Sequence, residues 1–98
     1  MIHIEIDPAA LAEAAEAQEF YAAQRLGLGD EFAAQLDKAV ARIAAYPMVW
    51  PPFSARTRRY LMDRFPYSVV YRLSGDTARV VAVFHQHRRP DYWRSRLP

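Results

Sequence analysis

Apolar and polar positions alternate from the first residues of the chain. Ile2, Ile4 and Ile6 are separated by His3 and Glu5, which predicts a short strand with one apolar face. Asp7-Pro8 then reads as an N-cap followed by proline at the first helical position, where its missing N–H costs nothing. A helix is predicted from Pro8 to about Leu26, with Leu11, Ala15, Ala22 and Leu26 at helical spacing. Gly27-Leu28-Gly29-Asp30 breaks it, and Asp30 is the expected cap of a second helix. Phe32, Leu36, Val40 and Ile43 give that second helix an apolar stripe, and Tyr46-Pro47 ends it. The many alanines allow close approach, so the two helices should form an antiparallel hairpin.

The segment Met48 to Ser54 carries apolar and aromatic anchors with two prolines, and reads as a loop that packs. Three strands are predicted beyond it: about Arg58 to Asp63, Tyr67 to Leu73 after the Phe65-Pro66 break, and about Thr77 to His85. Tyr67, Val69, Tyr71 and Leu73 share one face of the middle strand, which marks Tyr67 and Tyr71 as core residues. Ser74-Gly75-Asp76 supplies the hairpin loop, with glycine for the left-handed position. The predicted fold class is α+β, in the order β-α-α-β-β-β. A helical hairpin packs on one face of a largely antiparallel, curved sheet, in one domain over residues 1–98.

Charge changes the picture more than composition does. Half the residues are apolar (52%), which fits an ordinary globular domain and excludes disorder. Cysteine is absent, removing disulfides and thiolate metal sites, and no run reaches membrane-spanning length. A cytoplasmic protein without membrane association is the expectation. The net +2 conceals an asymmetry: residues 1–50 hold three basic against eight acidic groups, and residues 51–98 hold ten arginines against three aspartates. Every basic group of the second half is arginine, whose planar fork suits phosphate and carboxylate.

The densest chemistry is His85-Gln86-His87-Arg88-Arg89-Pro90-Asp91-Tyr92-Trp93, directly after the apolar run Val80 to Phe84. On a strand, His85 and His87 would sit on one face, roughly 6.6–6.8 Å apart. The only further histidine is His3, so no metal or other cofactor is expected. His85 could equally end the strand by packing, and His87 could be a plain turn residue. Trp50 and Trp93 read as packing anchors, with Trp93 closing the C-terminal segment over the sheet. Residues 94–98 are expected to fray, and Glu13 and Glu16 to form solvated helix surface.

Three pieces in order carry a family resemblance: Arg59-Tyr60-Leu61, Phe65 to Asp76 (FPYSVVYRLSGD), and Val80 to Trp93 (VVAVFHQHRRPDYW). With the element order, they resemble the RelE/ParE superfamily of toxins from type II toxin–antitoxin systems. The resemblance implies the small toxin fold, with helices on one side of the sheet and a basic side left to meet a target. It also implies a cognate antitoxin, for which an acidic segment is expected, and operator DNA contacted only through the antitoxin complex. RelE-like members cut mRNA in the ribosome, whereas ParE-like members inhibit DNA gyrase. The nuclease branch has a strand arginine where this chain has Ser68, which favours the gyrase branch. Were the chain a nuclease, His85 or His87 would move protons, Arg88 or Arg89 would stabilise the phosphorane, and Tyr92 or Trp93 would stack on a base. Otherwise Arg58, Arg59, Arg72, Arg88, Arg89 and Trp93 are the expected target- or antitoxin-binding residues, within a flank that also holds Arg56 and Arg64. A toxin-fold module that binds its antitoxin without toxicity is a third expectation.

Overall fold

A computed structural model describes residues 1–88 and 91–98. Its elements are β1 (His3–Ile6), α1 (Pro8–Gln24), α2 (Leu28–Ala45), β2 (Pro52–Ser54), β3 (Thr57–Leu61), β4 (Tyr67–Ser74), β5 (Thr77–His85) and a short 3-10 helix, Arg94–Arg96. The fold class is the α+β arrangement expected from the sequence. The five strands lie in the order β1-β5-β4-β3-β2. β1 pairs in parallel with β5, and the other neighbours are antiparallel. Strands β1 and β2 therefore hold opposite edges. The α1–α2 hairpin that connects them must cross the sheet, which is why it covers one whole face.

The local signals act as the residues suggest. The Asp7 Oδ1 accepts from the Ala9 N–H at 2.9 Å, capping α1 with Pro8 inside its first turn. Gly75 turns the β4–β5 hairpin at φ 60°. Three expectations need correction. The α2 cap is Gly27 at φ 83°, not Asp30, which lies inside the first turn. The predicted packing loop contains β2, a strand too short and proline-rich to show a period; Phe53 packs, while Met48 and Val49 are exposed. The buried stripe of α1 is Ala10, Ala14 and Ala17, whereas Leu11 (59% exposed) and Leu26 face solvent. Small side chains let α1 lie close to its neighbours, and closeness outweighs the burial of a larger but more distant leucine. The same tight approach explains Gly29. A Cβ there would sit 2.8 Å from the Gln18 carbonyl oxygen and 2.9 Å from the Ala22 Cβ.

Between helices and sheet, Phe32 packs edge-on to Phe65 and Tyr67 with ring centroids 5.2 and 5.1 Å away. Val69, Tyr71, Val80 and Ile43 extend this core, so Tyr67 and Tyr71 do face it as expected. Pairing of Val70 with Ala82 and of Tyr71 with Val80 leaves Val81 as the extra residue of a β-bulge. The bulge puts Val81 and Ala82 together with Phe84 on the other face. There a second core forms with Val70 and Trp93.

Burial lifts the Tyr71 phenol from about 10 to about 12, against the opposing charge of Arg58, while its hydroxyl donates to the Pro47 carbonyl at 2.7 Å. The folded state holds this proton more tightly than the unfolded chain does. The associated stability is therefore full below about pH 10 and is lost as pH rises through about 12. Denaturant melts across that window should show a fall of order 2–3 kcal/mol. Tyr71→Phe should start from lower stability but fall less. A slope unchanged by that substitution would assign the loss elsewhere.

Candidate functional site

The described residues of the conspicuous nine-residue stretch divide between a cleft at the end of β5 and the contacts of the chain end beside it. His85 ends β5 against Tyr67, with ring centroids 5.5 Å apart, and His87 stands in the following turn, 5.1 Å from the His85 ring. The His87 N–H donates to His85 Nδ1 at 3.1 Å, which leaves the ring proton of neutral His85 on Nε2. His87 and Arg88 are exposed. A shallow cleft of about 230 Å³ joins His85 and Arg88 to Glu13, Glu16, Phe20 and Tyr67. Among the described residues no three His, Cys, Asp or Glu side chains gather as metal ligands.

Tyr92 adjoins this cleft through two of its lining residues, Arg88 and Glu13. Its ring lies under the Arg88 guanidinium at 4.0 Å, and its hydroxyl donates a short hydrogen bond to Glu13. Burial first, and the Glu13 hydrogen bond second, push the phenol well above its ordinary range. The group is a poor proton donor at neutral pH. Glu13 also accepts from Arg96 at 2.8 Å and from the Val83 N–H at 3.1 Å, while Arg96 donates to the Val81 carbonyl at 2.9 Å. Burial opposes the Arg96 charge, but the Glu13 hydrogen bond and charge outweigh it and hold its pKa up.

This cluster corrects two expectations. Glu13 is not solvated surface, since its side chain is 12% exposed, and the chain end is held by Arg96 and a 3-10 turn. The reason lies in the sheet. β1 pairs with β5 only as far as Val80, so the edge of β5 beyond it has free backbone groups. The Asp7 N–H takes the Val80 carbonyl, Arg96 takes that of Val81, and Glu13 takes the Val83 N–H. A sequence signal existed: Glu13 lies within the alanine stripe of Ala10, Ala14 and Ala17, among residues that face protein.

The face opposite the helices is not left bare either. Trp93 is 1% exposed and packs beside Phe53, ring centroids 5.9 Å apart, over Val70, Val81 and Ala82. The anchor role expected of Trp93 is thus its position. Ser68 is fully buried, and its Oγ and the Trp93 Nε1 have no hydrogen-bond partner. Arg59 lies over the Phe53 ring at 4.6 Å. Arg58 donates to the Met48 and Trp50 carbonyls at 3.1 and 2.7 Å, tying down the loop after α2. Arg72 stands opposite Arg79 across the β4–β5 pair, and its Nε is buried without a partner. Arg89 lies outside the described residues.

The charge asymmetry is partly internal. Glu31 bridges Arg64 at 2.9 Å and Arg25 at 3.0 Å, Asp7 and Glu5 hold Arg79 at 3.2 and 3.4 Å, and Asp63 holds Lys38 at 3.0 Å. The Arg64 hydrogen bond lowers the Glu31 pKa, and the Lys38 hydrogen bond lowers that of Asp63. Among the described residues, Arg56, Arg58, Arg59, Arg72, Arg88 and Arg94 remain without a side-chain carboxylate.

Comparison with known proteins adds the family. The model of the ParE toxin of the type II toxin–antitoxin system parDE matches residues 4–90. The chain belongs to the ParE toxin family. It is thus a type II toxin, within the RelE/ParE superfamily that its motifs resemble. Among solved structures, a chain of the chromosomal ParDE TA system from P. aeruginosa is similar in fold. Its TM-score is 0.64 at 15% identity, covering 87% of this chain and 96% of that one. No curated protein sequence matches. Among the described residues, no helix of this ParE-family chain is long and apolar enough to cross a membrane.

Proposed function

We propose that this ParE-family toxin is a non-enzymatic inhibitor of a cytoplasmic macromolecular target, DNA gyrase, and that an antitoxin with an acidic segment neutralises it. The observation that carries the reading is the filled back face of the sheet. An RNA-cleaving member would need an open, arginine-bearing floor there. Here Ser68 is buried in the arginine's place, and Trp93 packs over the neighbouring Val70 and Ala82. Tyr92, a candidate in the nuclease reading, is committed to Glu13. The unpaired arginines instead stand towards the two ends of the sheet, with Arg59 over Phe53 between them, as contacts for an acidic protein surface.

One observation favours the second reading, a ribosome-dependent endoribonuclease. The His85 ring and Arg88 line the same cleft, which would place a proton carrier beside a cation. Two assays separate them. In a purified translation system, primer extension on a defined mRNA should show intact message at toxin excess. Gyrase supercoiling should be inhibited at comparable concentrations. Discrete ribosome-dependent cuts that disappear in a His85→Ala, His87→Ala variant would overturn the inhibitor reading. If neither assay responds and induction leaves growth unchanged, the chain is an antitoxin-binding module without toxicity.

A further inference from the structure

At the end of the sheet away from His85 lies a cavity of about 370 Å³ whose lining includes Arg56, Arg58 and Arg72 with Pro52, Ala55 and Leu73. A second, of about 260 Å³, shares Ser54, Ala55 and Arg56 with it and adds Arg94 and Leu97. Among the described residues, no carboxylate side chain lines either cavity. We propose that this double basin is a docking site for a short peptide segment of alternating acidic and apolar residues on a protein partner. The proposal deepens the antitoxin part of the reading above and rests on it.

Three observations argue for a carboxylate ligand. First, among the described residues, none of these four arginines has a side-chain carboxylate partner. Across the strand pair, Arg79 takes both Asp7 and Glu5 while Arg72 receives none. Second, the Arg72 Nε is buried with no hydrogen-bond partner, a donor whose desolvation nothing in the fold offsets. A carboxylate in the basin would meet it. Third, the site is built rather than loose. Arg58 is fixed by two loop carbonyls, and Arg56 donates to a main-chain oxygen of Pro98 at 2.8 Å.

The surroundings select a peptide over a nucleic acid. The basin is lined by no aromatic ring on which a base could stack. Between the basin and Arg88 the described arginine on β3 is Arg59, whose guanidinium is stacked on Phe53. Arg88 lies beyond the opposite end of β4, and the five-residue span from Arg72 to Tyr67 is roughly 17 Å of strand. Trp93 and its neighbours occupy the face between. Pro52, Leu73 and Leu97 suit apolar side chains placed between carboxylates, as an extended peptide presents them.

The test uses the full-length toxin labelled with ¹⁵N and an octapeptide alternating glutamate and leucine. Controls are its glutamine–leucine counterpart and an oligothymidylate of equal charge. Saturable shifts of the Arg72, Arg56 and Arg94 Nε–H resonances are expected with the glutamate peptide, weakening as salt rises. Arg56→Gln combined with Arg94→Gln should weaken binding at least tenfold and leave the backbone amide spectrum folded, because both side chains are exposed. Equal binding of the glutamine peptide, displacement by the oligothymidylate, shifts confined to Arg88 or the helices, or no saturable binding would each overturn the site. None of these outcomes touches the supercoiling assay, which contains no peptide, so failure here is distinguishable from failure of the inhibitor reading.

Discussion

Trp93→Ala should cost about 3–5 kcal/mol of folding stability, the expected range for deleting a buried tryptophan without collapse of its site. The indole is 1% exposed, the largest fully buried side chain among the described residues. Removing it uncovers Val70, Val81 and Ala82 and takes away the ring that Phe53 leans against. For a domain of this size, each kcal/mol corresponds to roughly 4–8 °C in Tm, so a drop of at least about 12 °C is expected. Trp93→Phe should cost much less, since it retains an aromatic ring and deletes an N–H buried without a partner. Thermal melts of the two variants check this. A Trp93→Ala protein melting within a few degrees of the parent would mean that the tail does not seal the second core.

Glu13→Ala should cost about 3 kcal/mol, the lower end of what removing one partner from a buried ion pair costs. The lower end applies because the Arg96 side chain keeps 20% exposure and can partly rehydrate. The loss has three parts: an uncompensated Arg96, a Tyr92 hydroxyl without its acceptor, and the Val83 N–H left open on the strand edge. Arg96→Met added to Glu13→Leu should recover much of it, because replacing both charges with apolar groups removes the desolvation cost. Urea unfolding of the single and double variants tests the coupling. If the double variant loses the sum of what the two single variants lose, Glu13 and Arg96 act independently. Amide exchange at Val83 should also quicken in Glu13→Ala, a change that loss of packing on the back face alone would not confine to that edge.

Much of the fold was legible in the residues themselves. Alternation in Ile2 to Ile6 and in Tyr67 to Leu73 marked two strands, and the β5 limits Thr77–His85 were read correctly. Asp7-Pro8 and Gly75 are signals that act within a few residues, so no distant partner was needed to interpret them. The α1 stripe was misread because its apolar positions offered two faces, one with leucines and one with alanines. Local hydrophobicity favours the leucines, whereas packing distance favours the alanines. β2 escaped because three residues containing a proline have no period to detect, and only pairing with β3 makes them a strand.

The functional residues divide along the same line. The arginine-rich second half, the histidines at the end of β5 and the motifs of the RelE/ParE superfamily are properties of composition and order, and the sequence by itself determined them. Which arginines are spent inside the molecule and which are left for a partner was decided by the tertiary structure. Glu5, Asp7, Glu13 and Glu31 reach Arg79, Arg96 and Arg64 from 33 to 83 residues away. Burial of Ser68, with Trp93 on the same face, and exposure of the Arg56–Arg58–Arg72 basin depend on the same folding of the chain back on itself. Ion pairing and burial depend on distance through space, and a charge pattern along the chain carries no such distance until the strands have paired.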